Sequence, residues 1–76
     1  MEIKVYGSGC PKCKKVYAAF EEAIKETGAD ATVVKVQDMS EIINKGFAAT
    51  PAVEIDGKVV STGKVLSQKQ AAEFLK

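Results

Sequence analysis

Tyr6-Gly7-Ser8-Gly9-Cys10-Pro11-Lys12-Cys13-Lys14-Lys15 joins a strand to a helix, and that join sets the plan of the chain. Upstream, Glu2 to Tyr6 alternates polar and apolar residues with Ile3 and Val5 on one side, the period of a strand. Gly7-Ser8-Gly9 ends it. Pro11 suits the first position of a helix, where its missing N–H costs no hydrogen bond. Downstream, Val16, Ala19, Phe20, Ala23 and Ile24 recur at helical spacing as one apolar stripe, with Glu21, Glu22, Lys25 and Glu26 off it. Gly28 follows as a left-handed C-cap. Ala31 to Gln37 carries Val33, Val34 and Val36 and reads as a buried strand, apolar on both faces.

Beyond this βαβ unit, Asp38 or Ser40 can cap a short helix carrying Met39, Ile42, Ile43 and Phe47 and closing near Gly46. Ala48-Ala49-Thr50-Pro51 reads as a loop. Ala52 to Ile55 and Lys58 to Ser61 read as two strands, and Asp56-Gly57 between them is a strong hairpin signal. Ser67-Gln68-Lys69-Gln70 is a capping box opening a last helix with Ala71, Ala72, Phe74 and Leu75 inward. The expected fold is α/β, in the order β-α-β-α-β-β-α. Its four-stranded mixed sheet has helices on both faces, and residues 1–76 form one domain.

Composition narrows the chemistry. All 11 basic residues are lysines, against 10 acidic residues, for a net charge of +1. With no histidine, a His-assisted nucleophile or His-ligated metal cannot be built from this chain. With no arginine there is no bidentate clamp on phosphate or carboxylate. Near-neutral charge argues against a nucleic-acid partner. No run approaches the ~20 apolar residues of a membrane span, and no signal-peptide pattern opens the chain. The expected location is therefore the cytoplasm, where thiols stay reduced.

What remains is Cys10 and Cys13. With Pro11 as the first helical residue, Cys10 is expected at the N-cap, facing unpaired backbone N–H groups and the positive end of the helix dipole. Lys12 and Lys14 favour the thiolate in the same direction, and Lys15 stands with them. These lysines read equally as a solvated helix face or as a means of selecting acidic partners. A Cys-x-x-Cys thiol at a helix N-terminus titrates at roughly 3.5–7.5 rather than near 8.5. Cys10 is thus the expected attacking thiol, and Cys13, one turn further in, the resolving one. A four-residue disulfide loop stabilises by only ~1.9 kcal/mol in the chain-entropy model, a poor staple and a good switch. The competing readings are a structural bridge, two inert buried cysteines, or a soft-metal carrier holding Cu(I) between two thiolates. Small copper-carrying domains resemble β-α-β-β-α-β, usually with Met two residues before the first Cys. Ser8 stands there in this chain, and its last element is helical.

Three stretches in order resemble the thioredoxin superfamily. They are Cys10-Pro11-Lys12-Cys13 after a strand, Gly46-Phe47-Ala48-Ala49-Thr50-Pro51 before one, and Val59 to Ser67 leading into a helix that ends Ala72-Glu73-Phe74-Leu75. The short chain is similar to the small archaeal and bacterial thioredoxin-like proteins described as redox-active disulfide proteins. The resemblance implies a minimal thioredoxin fold and a cis bond before Pro51. It places Thr50 and Pro51, with Pro11 and Lys12, where substrate binds, the Thr50 backbone pairing with an extended strand. It further implies a monomer that reduces protein disulfides. The cofactor expectation is none beyond the Cys10–Cys13 disulfide itself, with electrons supplied by a flavin enzyme resembling thioredoxin reductase.

The chain departs from ordinary thioredoxins in having Gly9 rather than Trp before the first Cys. Cys-Pro-x-Cys is closer to glutaredoxins, but Ser61-Thr62-Gly63-Lys64 stands where their Gly-Gly-x-x-Asp glutathione signature falls. The acidic residue that thioredoxins bury before the active site has no counterpart in Glu2 to Tyr6. Glu54 and Asp56 are substitutes only if their strand faces the site, and an exposed place in the hairpin is the simpler expectation. Tyr6 and Tyr17 read as packing aromatics, and Phe47 as core.

Overall fold

The structure, a computed structural model, describes residues 1–7, 11–47 and 49–75. The elements are β1 (Glu2–Tyr6), α1 (Pro11–Thr27), β2 (Thr32–Val36), α2 (Met39–Asn44), β3 (Ala52–Ile55), β4 (Lys58–Thr62) and α3 (Gln68–Phe74). They form one sheet in the order β2-β1-β3-β4. β1 pairs parallel with β2, Ile3 against Val33 and Tyr6 against Val36. On its other side it pairs antiparallel with β3, Val5 against Val53 and Tyr6 against Ala52. This is the expected minimal thioredoxin fold.

Strand alternation sorts the sheet into two cores. Ile3, Val5 and Val53 point to the face covered by α1 and α3, where they pack with Val16, Phe20, Ala23 and Ala71. Phe20 is fully buried, and its ring stacks with Phe74 at 6.4 Å between centroids. Tyr6 and Ala52 point to the other face and pack with Ile42 of α2. The caps read from sequence are present. Asp38 accepts from the Ser40 N–H at 2.9 Å, and Ser67 and Gln70 complete the capping box of α3. At the hairpin tip Asp56 and Gly57 both take positive φ, +49° and +85°, as a two-residue primed turn demands.

One expectation of the sheet is corrected. β2 is an edge strand and not buried on both faces; Val34 is 42% exposed. The helix over its face, α2, has six residues. It reaches the Tyr6–Ala52 end and Val36, and too little of it remains to shield Val34. For the same reason Ile42 alone of the α2 apolar residues is buried, while Met39 and Ile43 face solvent.

Candidate active site

Cys13 is the third residue of α1, and Pro11 the first, so the turn that carries the thiol begins where the sequence places it. The side chain is 6% exposed. Its sulfur is set against Gly7, the residue that follows β1. A Cβ added at Gly7 would overlap Cys13 Sγ and stand 3.0 Å from Cys13 Cβ. Close approach of sulfur to backbone is what the missing side chain permits. Gly7 is itself held in place, because its N–H donates to the Val36 carbonyl at 3.0 Å. The end of the sheet is thus a fixed platform for the thiol. Val5, Gly7, Cys13, Lys14, Lys35 and Gln37 line one cleft, its two lysines coming from different elements and no carboxylate residue standing among the described residues that line it.

The sheet register brings Pro51 to the same end. Ala52 lies opposite Tyr6, so Pro51, just before it, neighbours the strand end that leads to Gly7. The Thr50–Pro51 peptide bond is cis, and the Pro51 carbonyl accepts from the Gly63 N–H at 2.9 Å. Pro51 is buried and Thr50 half-buried.

Behind this edge, on the α2 face, lies a second polar group of residues. Glu54 is 4% exposed, and its Oε2 is 3.2 Å from the Nζ of Lys45, the residue that caps α2. The Lys45 ammonium also lies 6.0 Å from the centre of the Tyr6 ring, which in turn packs against Phe47 at 4.9 Å. The hydrogen bond and charge of Glu54 raise the Lys45 pKa above its usual 10.5.

Residues 1–76 match the family model described as a thioredoxin domain. A thioredoxin of Methanocaldococcus jannaschii is 42% identical over 97% of this chain and 85% of its own. A thioredoxin of Methanothermobacter thermautotrophicus is 35% identical over 99% and 97% respectively. The chain belongs to the thioredoxin domain family. That membership makes it a thioredoxin-type redox protein.

Within the thioredoxin domain, the residues singled out from sequence separate clearly. Cys13 and Lys14 share the cleft, Pro11 and Lys12 are exposed on the opening turn of α1, and Thr50 and Pro51 lie at the same end of the sheet. Cys10, with its expected N-cap position, lies outside the described residues, as do Ser8, Gly9 and Ala48. Glu54 is a correction: it is buried, not an exposed hairpin residue, because Lys45 reaches back to pair with it. It is also no partner for the cleft, since the register puts it on the face of Ala52 and Tyr6, across the sheet from Val5. Asp56 stays at the hairpin, where its side chain accepts from the Glu2 N–H at 2.8 Å. Tyr6 is core, 1% exposed, and Phe47 packs partly buried against it. Tyr17 packs on the flank of α1.

Gly7 and Lys35 were not legible as site residues. A glycine that ends a strand looks the same whether or not a sulfur rests on it, and Lys35 reaches the cleft only through the β1–β2 register. No helix among the described residues is long and apolar enough to cross a membrane. Nor does any group of three or more metal-binding side chains occur among them.

Proposed function

We propose that the protein is a thiol-disulfide oxidoreductase that reduces protein disulfides through the dithiol of Cys10 and Cys13. The observation that carries the reading is the burial of the Cys13 sulfur against Gly7 at the opening turn of α1, in a chain of the thioredoxin domain family. The Cys10 thiolate attacks one sulfur of a substrate disulfide. That S–S bond breaks, a mixed disulfide forms, and the other substrate sulfur leaves as a thiolate and takes up a proton. Cys13 then loses its proton, and its thiolate attacks the Cys10 sulfur. The Cys10–Cys13 disulfide forms and the second substrate thiolate departs. Two electrons pass to the substrate.

Burial of Cys13 suits the second step, because a resolving thiol needs to meet only Cys10. Lys12 and Lys14 lower the thiol pKa through their charge. Pro11, Lys12, Thr50 and Pro51 flank the approaching chain, with the Thr50 backbone pairing to it as an added strand. A flavin reductase of the thioredoxin-reductase kind returns the electrons, and the protein works in the cytoplasm as a monomer. The curated thioredoxins favour this reading over copper carriage.

The test is turnover with a chemical dithiol as electron donor, together with trapping on a Cys13→Ser variant. Reduction of a protein disulfide and adducts held on Cys10 are expected. Absence of both turnover and adduct would overturn the reading, and binding of one Cu(I) per chain without redox activity would replace it.

A further inference from the structure

The charges of α1 run against its own dipole. Lys12, Lys14 and Lys15 stand among its first five residues and its first turn has no acidic residue, while Glu21, Glu22 and Glu26 lie in its second half beside one favourably placed cation, Lys25. Aligned peptide dipoles make the start of a helix positive, so cations are disfavoured there and carboxylates favoured. Charges placed for helix stability run the other way. Lys35 adds a fourth ammonium from a separate element. It lies on β2, lines the cleft with Cys13 and Lys14, and its Nζ sits 4.5 Å from the centre of the Tyr17 ring. Among the described residues the ion pairs are Lys4–Glu2 and Lys45–Glu54, so none of the four lysines is neutralised by a carboxylate. Asp38, next to the cleft in sequence, is committed to capping α2. The whole chain carries a net charge of only +1, so the four lysines of this end are a local excess that carboxylates elsewhere in the molecule offset.

We propose that Lys14 and Lys35, extended by Lys12 and Lys15, form a basic rim that selects disulfide-bearing polypeptides with acidic residues beside the disulfide. The proposal rests on the dithiol reading and names its substrate class. Opposite charges across a short-lived interface speed encounter and set orientation more than they tighten binding. That suits a partner that must leave after each exchange. The rim surrounds a thiol, so the acidic group it attracts belongs to a sulfur-bearing chain. A nucleic acid calls for a more extended basic face.

Two peptides that share one disulfide, flanked by Asp and Glu in one and by Lys in the other, provide the test. At low ionic strength the protein should reduce the acidic peptide with a kcat/KM about tenfold higher, and the ratio should fall toward one as salt screens the rim. Lys14→Gln/Lys35→Gln should bring the ratio close to one, and Lys14→Glu/Lys35→Glu should invert it. A fluorescent acidic peptide without cysteine should bind the wild type and lose most of its affinity for either variant. Equal reduction of the two peptides overturns the rim and leaves the dithiol reading standing. Lysine-dependent binding of the cysteine-free peptide with no turnover supports the rim and overturns the dithiol reading. Absence of both overturns both. Tighter binding of a duplex oligonucleotide than of the acidic peptide overturns the partner class.

Discussion

The Nζ of Lys45 lies 3.2 Å from Oε2 of Glu54, a carboxylate almost wholly removed from solvent, while the lysine itself stays 44% exposed. The two residues therefore respond unequally to mutation. Loss of the lysine leaves a buried anion without its partner, the costly way to break such a pair. Loss of the negative charge leaves a lysine that water can solvate. Lys45→Met is expected to lower the urea midpoint more than Glu54→Gln, and Lys45→Met/Glu54→Leu should recover much of the loss. Equal effects of the two single changes would show that the pair carries no such asymmetry.

The same pair has an alkaline limit. Glu54 raises the Lys45 pKa above 10.5, so the stability it contributes is fully present below 10.5 and is lost as pH rises through the higher folded-state value. The stability difference between wild type and Lys45→Met should stay flat from neutral pH to about 10.5 and then shrink. Urea titrations across that range measure it. A difference that already falls between pH 7 and 9 would point to another group.

Gly7 and Cys13 share one small volume. Gly7→Ala forces the sulfur or the strand end to move, and overpacking of this kind costs about 1–3 kcal/mol. The second-site change Cys13→Ala removes the overlapping atom. It should restore most of the stability in the Gly7→Ala background while lowering it in the wild type. The coupling is read from a double-mutant cycle of urea midpoints. Additive effects would mean that the alanine methyl is accommodated elsewhere.

Lys14→Glu offers the opposite trade. A carboxylate in the first turn of α1 complements the dipole, for a gain of about 0.3–1 kcal/mol at low salt. Thermal unfolding at low and high ionic strength checks it, since the gain should fade as salt is added. A more stable protein that has lost its preference for acidic disulfides would show that the lysine was retained for its partners.

The elements were legible because local signals agreed with the global fold. Pro11 and Gly28 bracket α1, Asp56-Gly57 forms its turn, and Ser67 and Gln70 cap α3. What sequence misjudged depends on neighbours far along the chain. Val34 looks like its companions Val33 and Val36, and only the shortness of α2 and the edge position of β2 expose it. Glu54 looks like the outward member of an alternating strand, until Lys45 folds back over it from the end of α2. At the cleft, Cys13 and Lys14 follow from local spacing, whereas Gly7 and Lys35 acquire their roles from a parallel register that a single strand does not encode.

The central place of β1 has a consequence during synthesis. β1 is the first strand made, yet one of its two partners is β3, with Ile3 paired to Ile55. A ribosome adding about 5–20 residues per second takes several seconds to cover that interval. Throughout it the platform under Cys13 lacks one flank, although β2 and α1 can already dock. The Cys13 side chain can therefore be sheltered early, by the β1, α1 and β2 residues that line its cleft, while Pro51 arrives beside it only with the hairpin that closes the sheet.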